Sequence, residues 1–417
     1  MRRWNPAFAS ATRIALAISA LLVSGALEAP ARADVIRSDL PTLIEAPPHT
    51  RIYEWRDPDI KPRGVAIACH GLVLHGATYD VMARNLAAKG FIVIAADMRG
   101  YGRWCKTTRM SIPTGKNGNR LAESDDDEGS PNTIVESSLV EVGDDATTRD
   151  ATAIEKEKVA ATSSDADLTA GDTARSTATV KIETKERLPR VSYERSYQDV
   201  KELIRATRNA YPSLPLFIIG ESLGAGMALH AAADMPGSID GIVLSSPAIK
   251  RRLTVGPSVM KDVVCDMAAF VTNPTKEVDL IPYMRHLASN DPQIIQAMVT
   301  DPLVRKRLCV VDLVKTAALV HSNIRHARRV PDSVPVLVMQ GDQDRIMRSN
   351  GVVVLINNMK TRDQTVKWFK GKGHLLLETP YILPETMTIV SDWLIDHSQK
   401  ANLVRAEVHG HDHIEAE

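Results

Sequence analysis

No charge of one sign predominates in these 417 residues, because 51 basic side chains face 51 acidic ones. Nucleic-acid binding draws its affinity from clustered Lys and Arg, so a chain with no basic domain is not expected to take nucleic acid as a partner. Long apolar runs are missing as well. Residues 14–27 form the only long one near the start, and it falls short of the roughly 20 residues that a helix needs to cross a bilayer. An integral membrane bundle is thereby excluded. Cysteine is scarce, with four in the chain. None stands in a Cys-x-x-Cys or Cys/His spacing, so no zinc site is expected, and no other metal or organic cofactor is implied.

The apolar run has another use. It follows Arg2, Arg3 and Arg13 and precedes Ala31-Arg32-Ala33, which together make the basic start, apolar middle and small-residue cleavage site of a secretory signal. Residues 1–33 are therefore expected to be a cleavable signal peptide, and the mature chain to be exported, periplasmic or secreted, beginning at Asp34. An amphipathic first helix or an uncleaved anchor is the alternative. The twin Arg2-Arg3 lacks the apolar follow-on of a twin-arginine signal, and no cysteine lies near the cleavage site to take a lipid. Export makes disulfides feasible among Cys69, Cys105, Cys265 and Cys309, for which three full pairings exist. Cys265 and Cys309 share one segment and are the favoured bridge, against a buried thiol at Cys69 and a loop thiol at Cys105.

Between residues 121 and 187 there are 17 acidic and 7 basic residues, no aromatic, and many Ser, Thr and Ala. Such a stretch cannot bury enough apolar surface to offset its ordering entropy, so residues 107–189 are expected to be a disordered acidic insertion. It splits one domain, because the pattern that precedes it is completed only after it. Residues 34–106 and 190–400 make that domain, and residues 401–417 a flexible tail.

The flanking sequence alternates β-branched runs at 51–55, 65–69, 91–96, 216–220, 241–245, 336–340 and 365–369 with helical stretches at 77–89, 195–211 and 223–235. That alternation is the signature of an α/β fold with a mostly parallel central sheet and helices on both faces. Near-continuous apolar runs such as Phe91-Ile92-Val93-Ile94 suit strands covered on both sides. From about residue 248 to 332 the strand rhythm stops. Turn signals at Asn273-Pro274, Asn290-Asp291-Pro292 and Asp301-Pro302 punctuate short helices, so this segment is expected to be a helical cap. Met260, Val263, Val264, Met267 and Phe270 recur there at helical spacing, which favours core packing over a ligand box.

Chemistry concentrates at Gly220-Glu221-Ser222-Leu223-Gly224, a Gly-x-Ser-x-Gly that ends an apolar strand and opens a helix. Small residues permit the sharp turn that holds a serine exposed and strained, which makes Ser222 the candidate nucleophile. A serine hydroxyl needs a base, and His374 follows the last expected strand, where a loop can return to the same sheet edge. Asp344, after the strand at 336–340, is the candidate carboxylate that would fix the imidazole; Asp342, two residues away, is the rival and is assigned to the turn. The order Ser222, Asp344, His374 is the order this fold class uses. Oxyanion donors are expected from the N–H groups of Leu223 and of Leu72 in His70-Gly71-Leu72, with His70 shaping that turn.

With these pieces in order, the chain resembles the α/β-hydrolase superfamily, and within it the monoacylglycerol lipase/lysophospholipase group, also catalogued with the serine aminopeptidase-type hydrolases. The motifs that carry the resemblance are Cys69-His70-Gly71, Asp97-Met98-Arg99-Gly100-Tyr101-Gly102-Arg103, Tyr211-Pro212-Ser213-Leu214-Pro215, the Gly220 to Gly224 turn, Asp301-Pro302-Leu303-Val304, Gly341 to Asp344 and Gly373-His374. It implies a serine hydrolase that cleaves small-molecule or lipid acyl esters, such as monoacylglycerol or lysophospholipid, through an acyl-enzyme, and it allows a transient membrane-surface contact through the cap. An aminopeptidase or amidase on the same triad is the alternative, and a non-catalytic binding protein that kept the fold is another. The chain departs from the family in two places. Its acidic insertion interrupts the passage from the Gly-Tyr-Gly-Arg loop to the next helix, and the turn after His70-Gly71 lacks the Gly-Glu common in monoacylglycerol lipases.

Overall fold

The runs of β-branched and apolar residues form strands almost where the sequence places them, in a computed structural model that describes residues 35–38, 50–105, 188–250 and 273–412, with side chains to residue 407. The expected signal peptide, all but the last two residues of the insertion, and the cap stretch that holds Cys265 lie outside the described residues. In chain order the strands are β1 (Ile36–Ser38), β2 (Ile52–Arg56), β3 (Gly64–Cys69), β4 (Phe91–Ala96), β5 (Leu216–Glu221), β6 (Gly241–Ser245), β7 (Glu277–Asp279), β8 (Arg307–Cys309), β9 (Val336–Gly341) and β10 (Gln364–Phe369). Eight of them form one sheet in the order β1-β2-β4-β3-β5-β6-β9-β10. From β4 to β10 every pairing is parallel, and β2 joins β4 and β1 antiparallel.

Alternate residues of each inner strand serve opposite faces. On β3, Val65, Ile67 and Cys69 enter one apolar cluster with Ile218 and Leu244, while Ala66 and Ala68 enter the other with Phe217 and Val243. Helices α1 (Asp80–Ala87), α2 (Tyr193–Ala210) and α3 (Leu223–Asp234) follow β3, precede β5 and follow β5, respectively. Helix α3 is buried from Leu223 to Ala233, and its Ala and Gly content is what allows it to press against the sheet. A Cβ on Gly224 would stand 1.8 Å from the Cys69 carbonyl oxygen, so only glycine fits there. The Phe217 ring meets Phe91 and Trp393 edge to face; truncating such a buried ring costs about 3 to 5 kcal/mol.

The cap combines helices with a small ladder. Asp291 caps α4 (Pro292–Thr300), its side chain accepting from the Gln293 N–H, with Pro292 at the first helical position. Helix α5 (Val310–Ala327) packs on α3, where a Cβ on Gly226 would meet the Asn323 side chain at 2.7 Å. An antiparallel pair, β7 with β8, was not anticipated among the helices. Its strands are three residues long, too short for an alternating pattern to register. Cys309, at the end of β8, is a buried free thiol, as are the buried Cys69 and the half-buried Cys105. The expected Cys265–Cys309 bridge is therefore not made at Cys309, whose side chain packs in the core at the start of α5.

After α6 (Asn350–Ile356), the last helix, α7 (Pro384–Asp412), continues well past residue 400. The flexible tail expected from residue 401 is thus helical as far as Asp412. A specific contact explains it, since Arg405 Nη2 donates to both Asp240 carboxylate oxygens at 2.7 and 2.8 Å. No helix among the described residues is long and apolar enough to cross a membrane.

The two chain ends that flank the insertion are held by one side chain. Arg305 is buried and its Nη1 donates to Gly100 O at 2.6 Å and to Pro189 O at 2.7 Å. Ser192 N–H donates to Arg99 O at 3.3 Å, and the Gly100 α-carbon leaves no room for a side chain against Arg190 and Val191. Closing a flexible loop costs only logarithmically with its length. Replacing residues 121–187 by a short Gly/Ser linker is therefore expected to keep a single cooperative melt and to change stability by about 1 to 2 kcal/mol at most. Loss of the cooperative transition in a calorimetric scan would mean that the segment is part of the folded core.

Candidate active site

Three non-glycine residues of the described chain have left-handed backbone, Val73 at φ 68°, Ser222 at φ 55° and Ser246 at φ 42°. Each such residue costs on the order of 1 to 3 kcal/mol unless its surroundings over-determine it. All three lie at the carboxyl ends of the parallel strands, the edge where open α/β sheets bind ligands. Ser222 follows β5 directly and is the residue before α3, with ψ −111°. Its N–H donates to Ser245 O at 2.8 Å and its carbonyl accepts from Ala248 N–H at 3.2 Å. The next residue, Leu223, opens α3, so its N–H belongs to the helix start, where N–H groups have no intrahelical partner and the helix dipole favours negative charge.

His374 lies in the turn after β10 and Asp344 in the turn after β9. They meet at 2.7 Å between His374 Nδ1 and Asp344 Oδ2, and both are buried. The other Asp344 oxygen accepts from the N–H groups of Ile346 at 2.7 Å and Met347 at 2.8 Å, while Gln340 Nε2 donates to Oδ2 at 2.8 Å. Burial pushes the Asp344 carboxyl up, and the charge and hydrogen bond of His374 with these N–H donors more than reverse it, so it sits below its ordinary value. Burial likewise opposes a charged His374, but Asp344, helped by Glu221, outweighs it and raises the imidazole above its ordinary value. Asp342 does a different job. It is exposed, and its Oδ1 accepts from Gly371 N–H at 2.7 Å across the turn.

Among the described residues, no hydrogen bond joins Ser222 Oγ to His374, and in unliganded hydrolases such a contact commonly tightens only when substrate is bound. The two are nevertheless held in one frame. Ser246 Oγ donates to His374 O at 2.6 Å, and Ser246 N–H donates to Met339 O at 2.8 Å. Left-handed Ser246 is thus the stop against which the histidine turn rests.

The turn after β3 faces the nucleophile. A Cβ on Gly71 would lie 3.6 Å from Ser222 Cβ, so the peptide leading to Leu72 borders the serine. His70 shapes this turn from beneath. Met98 N–H donates to His70 Nε2 at 2.9 Å, which leaves the proton on Nδ1 to donate to Gly71 O at 2.8 Å. Burial lowers this imidazole to about 4, so it is neutral. Val73 O accepts from Arg305 N–H at 2.9 Å, and His75 Nε2 lies 3.0 Å from Asp301 Oδ2, tying the same turn to the cap.

Sequence reasoning did not find Glu221 or Glu378, both fully buried at this site. Glu221 accepts from Ser245 Oγ and from the N–H groups of Leu376, Leu377 and Glu378. Glu378 accepts from Gly71 N–H at 2.8 Å. A signal was available: each acid interrupts an apolar run, Leu216 to Gly220 in one case and Leu375 to Leu377 in the other. Among the described residues, no group of His, Cys, Asp and Glu could hold a metal ion.

The family model described as serine aminopeptidase, S33, matches residues 60–118 and 183–380. The chain is 22% identical over 351 residues to the monoacylglycerol lipase of Mycolicibacterium smegmatis, covering 83% of this chain and 93% of that one. Against human monoglyceride lipase it is 27% identical over 207 residues, 49% of this chain and 66% of the human enzyme. Among solved structures, a soluble variant of Saccharomyces cerevisiae monoglyceride lipase superposes with a TM-score of 0.56 at 14% identity, over 86% of this chain and 97% of that one. The monoacylglycerol lipase of Paleococcus ferrophilus gives 0.52 at 19% identity, over 84% and 99%. A model match over more than half of the chain, on the sheet, turns and order described above, makes this protein a member of the serine aminopeptidase S33 family, a serine hydrolase of the monoacylglycerol lipase-like α/β-hydrolase group.

Proposed function

We propose that the protein is an exported esterase that cleaves single-chain acyl esters, monoacylglycerol, lysophospholipid or a similar compound, through an acyl-enzyme on Ser222. The observation that carries this reading is the strained Ser222 at the start of α3, on the same sheet edge as a buried His374 bonded to Asp344 at 2.7 Å. Ser222 Oγ attacks the ester carbonyl as His374 Nε2 takes its proton. The Leu72 and Leu223 N–H groups receive the developing oxyanion, and His374 returns the proton to the departing alcohol. Water, deprotonated by the same imidazole, then releases the acid. Asp344 fixes the tautomer with the proton on Nδ1 and balances the imidazolium. The lipase names of the relatives support the acyl-ester class. The family description supports an amide-cleaving alternative on the same triad.

A screen of p-nitrophenyl esters of graded chain length beside aminoacyl anilides separates the two, with the esters expected to turn over and the anilides not. Ser222→Ala should abolish fluorophosphonate labelling and lower turnover by about 10⁴- to 10⁶-fold; intact labelling of the variant would remove Ser222 from its role.

Because the base must be neutral, kcat/KM should fall as pH drops through the raised pKa of His374, above its ordinary 6.5. Asp344→Asn should move that limb downward and cost about 10⁴-fold in kcat, whereas Asp342→Asn should lose less than about tenfold. A reversed ranking of the aspartates would transfer the orienting role to Asp342. For export, N-terminal sequencing of extracytoplasmic material should begin at Asp34, and an intact Met1 there would mean an anchor.

A further inference from the structure

Two buried acids that the reaction steps do not use are joined beneath the site through a main-chain N–H. Glu378 N–H donates to Glu221 Oε2 at 2.8 Å, and both side chains are fully buried. The donors around Glu221 are Ser245 Oγ at 2.6 Å, Leu376 N–H at 2.8 Å, Leu377 N–H at 3.2 Å from either oxygen, and Glu378 N–H. Three of these are main-chain N–H groups, which can only donate. That is the environment of an ionised carboxylate.

Glu378 is placed differently. Its Oε2 accepts from Gly71 N–H at 2.8 Å, and its Oε1 lies 3.0 Å from Thr78 Oγ1. Thr78 has one hydroxyl proton, and Oγ1 is also 2.6 Å from His75 O, which can only accept. The shorter contact takes that proton. With that proton directed to His75 O, a bare carboxylate oxygen at 3.0 Å would face only lone pairs of Thr78 Oγ1, and a proton on Glu378 Oε1, donated to Thr78 Oγ1, satisfies both contacts at once.

We propose that of these two acids Glu221 is ionised and Glu378 is neutral, its proton directed at Thr78, and that the pair holds the His374 turn and the His70-Gly71-Leu72 turn in register with Ser222. Both are positioning residues. Glu221 grips the segment that follows His374, and Glu378 grips the peptide that precedes Leu72. The proposal rests on the reading of Ser222 and His374 as the reacting groups, although the proton count itself does not.

The surroundings agree. Burial and the neighbouring Glu221 push the Glu378 carboxyl well above its ordinary 4.5, and its hydrogen bonds with Gly71 and Thr78 oppose this only in part. Glu221 is also raised by burial, with Ser245, the backbone donors and His374 pulling it back. Tyr79, whose hydroxyl donates to Cys69 O and accepts from Glu221 N–H, is raised well above its ordinary value, chiefly by burial. The Cys69 thiol is pushed up to about 12, chiefly by burial. Neither supplies a charge near neutral pH. On the facing turn, His70 is neutral and His75 is engaged with Asp301.

Glutamine tells the two acids apart. At position 378 its amide can donate to Thr78 Oγ1 and its oxygen can accept from Gly71 N–H, reproducing a protonated acid. At position 221 its NH₂ has to face groups that only donate. The mature full-length chain and its Glu378→Gln, Glu378→Ala and Glu221→Gln variants are to be melted from pH 5 to 9 and assayed with p-nitrophenyl butyrate. The wild type retains a proton that its unfolded chain releases above about pH 4.5, so its stability falls with rising pH relative to a variant without that group. The melting temperature of Glu378→Gln should therefore gain on the wild type as pH rises. Glu378→Ala and Glu221→Gln should lose about 10- to 100-fold in kcat with KM changed less than about threefold, and Glu378→Gln should recover most of that loss. A melting difference that stays flat with pH for Glu378→Gln, or that grows for Glu221→Gln in its place, overturns the assignment. If Ser222→Ala keeps hydrolysing the ester, the catalytic reading fails while the melting comparison still decides the proton. If Glu221→Gln or Glu378→Ala does not fold, the Glu378→Gln melting series decides alone.

Discussion

The close approach of α3 to the end of β3 is the constraint on which the site depends. Gly224 leaves no room for a Cβ against the Cys69 carbonyl, and Gly220 leaves none against Gly224 itself. With both positions stripped of side chains, the first turn of α3 sits directly on the strand end, and the residue between them has to turn sharply. That residue is Ser222, and its left-handed backbone is the consequence. Pressing α3 onto β3 also sets the distance between two N–H groups that otherwise belong to separate elements, Leu223 at the helix start and Leu72 in the turn after β3. The conformational cost at Ser222, of order 1 to 3 kcal/mol, is small beside the burial of α3 on the sheet, where each fully buried aliphatic side chain contributes about 1.5 to 3 kcal/mol.

An apolar sheet edge is a poor place for polar groups unless each is answered. Here the answers come mostly from main-chain N–H groups of the turns. Asp344 takes two of them besides its histidine, Glu221 takes three, and Asp97 takes those of Gly76 and Arg103. Each carboxylate therefore does for its turn what a ladder does for a strand. It fixes the backbone by satisfying several donors at once, and the charge-assisted bonds are stronger than neutral ones. Preorganisation of the site is in this sense a by-product of burying acids.

How much of this the sequence discloses depends on the range over which each interaction acts. Strands such as residues 91–96 and 241–245 coincide with their apolar runs because burial on both faces leaves a local composition signature. The candidate serine, aspartate and histidine stand out because each follows a strand, and strand order carries the three turns to one edge. The pairing of the two acids is not legible in the same way, since Glu221 and Glu378 are 157 positions apart and the apolar runs they end mark each acid singly without joining them. Val73 and Ser246 escape for a related reason: a β-branched residue or a serine at positive φ is imposed by packing, against local preference. The helix past residue 400 is tied down by Arg405 reaching Asp240, 165 positions away, which no periodicity in the tail records.

The segment from Asp301 to Arg305 belongs both to the cap and to the frame around the sheet edge. Asp301 is bonded to His75, Arg305 N–H to Val73 O, and the Arg305 guanidinium to Gly100 O, Pro189 O and Arg307 O. These contacts reach the turn that carries Leu72, the loop that precedes the acidic insertion and the segment that follows it. One buried cation therefore serves as the common anchor of three chain crossings, and a guanidinium, with five donors in a fixed plane, suits that geometry where an ammonium would not. Val73 is held left-handed between this anchor and β3, so the conformation of the turn beside the nucleophile is set partly from the cap side. Asp301-Pro302-Leu303-Val304 is thus part of the frame of the active site, and the segment of the cap able to vary without disturbing Leu72 lies elsewhere.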